Sequence, residues 1–117
     1  MLAVIFEFEP RSERRQDYLD FAAELAAELE TIDGFVSIER FESLTTPGKL
    51  VSISFWRDED AISRWRNLEK HRAAQRASRD GIMADYRLRV ASVIRDYGMR
   101  EREQAPEDSR SAHAVQV

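Results

Sequence analysis

The sequence predicts an α+β fold, a ferredoxin-like βαββαβ layer, on three observations. Apolar and polar residues alternate with period two in LAVIFEFE and again in LVSISFW. Between them, apolar residues recur at three- and four-residue spacing from Tyr18 to Ile32. Pro, Gly and Asp punctuate the chain at each change of period. Alternation places successive side chains on opposite faces of a strand, whereas the longer spacing lines one face of a helix. The 117 residues allow one domain. At 43% hydrophobic and 34% charged the chain is globular rather than disordered.

In the first strand, Leu2, Val4, Phe6 and Phe8 lie on one face and Ala3, Ile5, Glu7 and Glu9 on the other. Pro10 ends it, since proline cannot donate to the ladder. Ser12 is placed to cap a helix, with Glu13 at the positive end of its dipole. That helix carries its apolar stripe to Ile32 and is expected to stop at Asp33-Gly34. Residues 35–43 (FVSIERFES) read as the second strand and Lys49–Trp56 as the third. The two are joined by Thr46-Pro47-Gly48, where Pro presets φ and Gly permits φ above zero. Asp58 reads as the N-cap of a second helix, with Ala61, Ile62, Trp65 and Leu68 facing inward. Helical propensity continues through HRAAQRAS, as one bent helix or two short ones. A final strand is expected from Tyr86 to Tyr97.

Two helices cover only one face of such a sheet. Yet Ile5 stands opposite Val4 and Phe6, and Val93 opposite Ile94, so apolar residues occur on both faces. This predicts a homodimer packed sheet against sheet, with Trp56 a barrel or dimer residue. Residues 1–98 form the predicted domain. Residues 99–117 (MREREQAPEDSRSAHAVQV) lack periodicity and read as a polar, flexible tail.

The net charge of −4 argues against a nucleic-acid partner, but it is unevenly spread. Residues 1–56 carry −6, residues 57–95 carry +4 and residues 96–117 carry −2. The basic stretch reads either as solvated ion-pair partners or as a local positive field that holds an anionic ligand or docks on the acidic half of another subunit. Cysteine is absent, which excludes disulfides, thiolate catalysis and zinc fingers. Only His71 and His113 could supply imidazole, so a multi-histidine metal site is excluded as well. No apolar run is long enough to span a membrane, and MLAVIFEFEP carries charge too early for a signal peptide. A cytoplasmic location is the resulting expectation.

The phrases DGFVSIERFES, PGKLVSISFWRDEDAISRW, HRAAQ and YRLRVASVIRDYG resemble antibiotic biosynthesis monooxygenase (ABM) domains, over about residues 1–98. The resemblance implies a dimeric α+β barrel with a pocket between helices and sheet in each subunit. It implies enzymes that oxidise aromatic polyketide-type substrates or degrade haem, often without flavin or a dedicated metal. Other members have no known activity.

A cofactor-free oxygenase needs an acidic substrate whose carbanion itself reduces O₂, a base or polar anchors, and positive charge near the forming anion. The segment RWRNLEKH supplies the candidates. Asn67 and His71 lie four apart on one helix face and Arg64 shares it, while Trp65 lies nearer the apolar stripe. Trp65, Asn67 and His71 are the candidate catalytic residues. Arg64 and Tyr86 are the candidate substrate-binding residues. Each has a structural reading beside the functional one: Trp65 as core, His71 and Gln75 as solvated, Asn67 as a helix-end residue, Tyr86 as an edge aromatic.

No cofactor is expected on this reading. The alternative is a haem-degrading enzyme. The resemblance to that branch implies an Asn on the first strand, a Trp on the second helix and an axial His ten residues later. Trp65 fits, but the first strand has no Asn and Gln75 stands where the His would be. Haem would then depend on His71 from a shifted position. A third reading is a non-catalytic binding or stress-response module.

Overall fold

The computed structural model describes residues 1–68, 72, 73, 76 and 81–113, and its main described elements are strands and helices. In chain order they are β1 (Leu2–Pro10), a 3₁₀ turn (Ser12–Arg14), α1 (Arg15–Leu29), β2 (Phe35–Glu42), β3 (Leu50–Trp56), α2 (Glu59–Arg66), β4 (Met83–Ser92) and α3 (Glu107–His113). The strands form one antiparallel sheet in the order β2-β3-β1-β4. That order, with α1 and α2 as the two crossovers, is the ferredoxin-like arrangement the alternation predicts.

Each element ends for a local reason. The β2–β3 hairpin turns at Thr46-Pro47-Gly48-Lys49, closed by the Lys49 amide donating to the Thr46 carbonyl. Gly48 there takes φ +80°, the position that glycine alone fills without strain. Asp58 caps α2 as expected, its carboxylate accepting from the Ala61 amide at 2.9 Å.

Four boundaries differ from the sequence reading. Ser12 caps nothing: its hydroxyl meets Glu13, and α1 begins at Arg15 after the 3₁₀ turn with no side-chain cap. Helix α1 stops at Leu29, short of Asp33-Gly34. Thr31 and Ile32 donate to the Glu28 and Leu29 carbonyls in tightened turns, which lets Ile32 pack against the core. β4 runs Met83–Ser92, not Tyr86–Tyr97, because its length is set by its partner. Pro10 pairs with Met83 and Leu2 with Ser92, and the Val93 amide takes the Met1 carbonyl as the last acceptor available. Glu107–His113, expected to lack regular structure, is helical, with the Arg102 guanidinium over the Tyr97 ring and bonded to Ser109. The continuation expected through HRAAQRAS lies largely outside the described residues.

The side of the sheet under α1 and α2 holds the core in two separate clusters. Phe8, Tyr18, Leu50 and Ile82 form one; Leu29, Trp56, Ala61 and Ile62 form the other. They occupy opposite ends of β3, whose inward residues are Leu50, Ser52, Ser54 and Trp56. Trp56 is 1% exposed, and its indole N–H donates to Ser54 Oγ at 2.9 Å, which satisfies the one polar atom the ring buries.

One corner ties the second cluster together. The Arg57 guanidinium bridges Asp33 and Asp58, and Arg64 donates to the Asp33 carbonyl at 3.0 Å. Hydrogen bonding to Arg57 holds both carboxyls below their usual range. Gly34 sits in this corner at φ +94°, its carbonyl accepting from the Arg57 amide. A methyl group on Gly34 would come within 2.8 Å of the Ala61 Cβ. Gly34→Ala should therefore lower unfolding stability by about 2 kcal/mol or more in urea titration, from the left-handed backbone and the overlap together. An unchanged midpoint would show that the corner yields freely.

Candidate functional site

Between the two clusters lies a cavity of about 720 Å³. Pleat and register make its floor from two rows of side chains across the sheet. One row is Arg40–Ser52–Phe6–Leu88 and the next is Ile38–Ser54–Val4–Val90, in the strand order β2, β3, β1, β4. Serine is too small to fill the space that Leu50 and Trp56 fill on either side, so the middle of the layer stays open.

Helix α1 roofs the cavity with its apolar stripe, chiefly Phe21, Leu25 and Leu29, and α2 adds Ile62 and Trp65. Met83 and Tyr86 line the end where β4 begins, with the Tyr86 ring edge-on to Phe6 at 5.7 Å. The polar groups are few. Arg40, Arg66, Arg72 and Arg76 line the space, and no Asp or Glu is among the described lining residues. A site so lined favours an apolar molecule that carries or develops negative charge.

The structure brings some of the sequence-derived candidates here and leaves others out. Trp65 and Tyr86 line the cavity. Arg64 does not; it is spent on the Asp33 carbonyl at the corner described above. Asn67 does not line it either. It ends α2, with its amide donating to the Ser63 carbonyl at 2.8 Å and its oxygen accepting from Arg72 at 2.7 Å. As a helix-terminating residue Asn67 is occupied with backbone, the reading that its residue type alone favours. His71 and Gln75 lie outside the described residues.

Three polar residues of the floor and roof are not among the sequence-derived candidates. Arg40 is one, Ser52 the second and Tyr18 the third, and Arg40 Nε donates to the Tyr18 hydroxyl at 3.1 Å. The available signal was parity. Arg40 shares the β2 face of Ile38, so an inward apolar row contains a cation.

Among the described residues no group of three or more His, Asp or Glu could hold a metal ion. The described lining residues include no imidazole for a haem iron. No step is therefore routed through either group. Among the described residues no helix is long and apolar enough to cross a membrane.

Comparison with known proteins fits this architecture. The family model described as antibiotic biosynthesis monooxygenase matches residues 1–77. The chain belongs to the antibiotic biosynthesis monooxygenase family. It is 47% identical over 93 residues to a jasmonate monooxygenase ABM of Pyricularia oryzae, across 80% of this chain and 43% of that protein. The chain thus spans less than half the length of that relative. Two solved structures share the fold at low identity. An antibiotic biosynthesis monooxygenase from Deinococcus radiodurans superposes with TM-score 0.75 at 15% identity, covering 85% of this chain and 98% of that one. SnoaB, a cofactor-independent oxygenase from Streptomyces nogalater, superposes with TM-score 0.69 at 17% identity, covering 81% and 94%. In this ABM chain, the residues that enclose the cavity come from the ferredoxin-like layer itself, between Val4 and Val90.

Proposed function

We propose that this ABM protein is a cofactor-independent monooxygenase of a small hydrophobic compound bound between helices and sheet. The observation that carries the reading is the cavity, with apolar floor and roof, four guanidiniums and no described carboxylate. The names of the similar proteins, a monooxygenase and a cofactor-independent oxygenase, support the same class of reaction.

The chemistry follows from the lining. A substrate with a CH₂ group made acidic by neighbouring carbonyl or aromatic groups loses a proton more readily where positive charge faces the anion. Low-dielectric walls strengthen that attraction. The carbanion then passes electrons to O₂. In balance, the CH₂ becomes C=O, one oxygen atom enters the product and the other leaves as water. The guanidinium field stabilises the anion while solvent water takes the proton, which returns in the water released when O₂ is reduced. Tyr86 offers a hydroxyl at the cavity's end, and Trp65 a flat apolar wall.

With 1,8-dihydroxyanthrone under ¹⁸O₂, the protein should raise O₂ uptake above the protein-free rate and place one ¹⁸O in the ketone product. Uptake equal to the protein-free rate across a series of such acidic compounds would leave a binding module in place of an enzyme.

The working unit on this proposal is a homodimer. The face of the sheet away from the helices carries Ile5, Val51, Ile53 and Phe55, all only half-buried, and Phe41, which is exposed. Glu7 on that face bonds Arg89 at 2.8 Å and sits 3.6 Å from Lys49, and the Arg89 hydrogen bond chiefly holds its carboxyl below the usual range. Charges neutralised in place leave an apolar strip that a second copy can cover in an isologous contact. Sedimentation at micromolar concentration should give about 27 kDa, twice the 13.6 kDa chain mass, and Phe55→Glu should shift it to the monomer. A wild-type monomer at that concentration would contradict the dimer.

A further inference from the structure

Ser52 is 7% exposed, yet among the described residues its hydroxyl has no hydrogen-bond partner. Buried hydroxyls are normally satisfied, and one that faces a cavity without a partner points to a missing ligand atom. Directly across the ladder from it stands Arg40. Among the described residues the Arg40 guanidinium makes no ion pair, and its Nε is held by the Tyr18 hydroxyl. Tyr18 is itself fixed, 8% exposed with its ring 4.4 Å from that of Phe8. Arg40 is exposed at the β2 side of the cavity it lines, and among the described residues no hydrogen bond occupies its Nη donors.

We propose that Arg40 and Ser52, with Tyr18 as the positioning residue, hold the carboxylate of an otherwise apolar ligand. The guanidinium fork matches a carboxylate in shape, and the serine hydroxyl supplies a further donor. One cation and one hydroxyl suit a monoanion; a phosphate dianion would call for more donors than this centre offers. The floor also sets a direction. Arg40 stands on the edge strand β2, and the rest of its row, past Ser52, is Phe6 and Leu88. Three strand spacings of ~4.8 Å make that row about 14 Å long, which bounds the ligand. The head sits under β2 and the apolar body runs toward β4, where Tyr86 lines the cavity. The inference deepens the oxygenase reading by naming its substrate class, and it rests on that reading for the purpose of the site.

The test reads binding alone, so its outcome is separate from turnover. Calorimetric titration with 1-naphthylacetate and the neutral 1-naphthylacetamide at pH 7 compares anion and amide in nearly one shape. The anion should bind at least about tenfold tighter, as a charge-assisted contact gives. Arg40→Gln should reduce that preference to threefold or less, with the loss falling mainly on the anion. Equal affinities in the wild type, or a preference that survives Arg40→Gln, would overturn the proposal and leave the apolar cavity standing. Failure of both ligands to bind the wild type would overturn the proposal together with the cavity's role. If Arg40→Gln binds neither ligand, Tyr18→Phe decides, since it keeps the cation and removes only the oxygen that orients it. A preference reduced severalfold there supports the proposal, and an unchanged one overturns it. Anion binding without O₂ uptake would count against the oxygenase reading and not against this one.

Discussion

Two serines in the middle of β3 set the terms for the rest of the molecule. On the inward face of that strand, Leu50 and Trp56 reach the helices, while Ser52 and Ser54 between them do not. The core therefore divides in two, and each half must be stable enough to hold the helices over an unfilled centre. The Trp56 half does so with an aromatic pair, Phe35 edge-on to Trp56 at 5.2 Å, and with the Arg57 corner that locks the α1–β2 turn to the start of α2. The other half stacks Phe6, Phe8 and Tyr18. Ser54 is used inside the protein, as acceptor for the Trp56 indole. Ser52 is left for what enters the cavity.

Function follows from the same division. A layer packed solid would present two greasy ends joined by core. This one encloses a site whose walls are secondary structure, and Arg40, on a strand, has its side chain fixed by a helix residue. Placing the polar groups on rigid elements is what orientation of a small ligand requires. It also explains why an acidic chain offers a positive interior. The acidic residues of α1 and β2 occupy outward positions, and the described cations that line the cavity come from β2, the end of α2 and the stretch after it.

Strands, helices and topology were legible because period-two and period-3.6 patterns are strong in LAVIFEFE, LVSISFW and the Tyr18–Ile32 stripe. Ends were less so. β4 is cut to length by its partner at Leu2 and Pro10, a long-range constraint that local alternation cannot express. Helix α1 stops before Ile32, which packs against the Trp56 cluster from a tightened turn that helical periodicity does not express. At the site, the aromatic type and position of Trp65 and Tyr86 agree with their place on the cavity wall. Arg64 and Asn67 share a helix face with His71 in the sequence pattern, but a face of α2 is not the cavity, and both are bonded at a corner and a helix end. Arg40, Ser52 and Tyr18 were hidden for a common reason: they meet only when three separate elements are brought together. Tyr18 in particular reads as one more apolar residue of the stripe, because its ring is buried and only its hydroxyl acts.

The claim that the serines hold the site open is tested most directly by filling the gap. Ser52→Leu replaces the hydroxyl with three carbons in the space between the clusters. Binding of 1-anilinonaphthalene-8-sulfonate to this variant, measured by fluorescence titration, should weaken at least about tenfold, while urea unfolding stays within about 1.5 kcal/mol of wild type. Dye affinity unchanged in a variant of unchanged stability would contradict the account, because the ligand would then lie somewhere other than between Leu50 and Trp56.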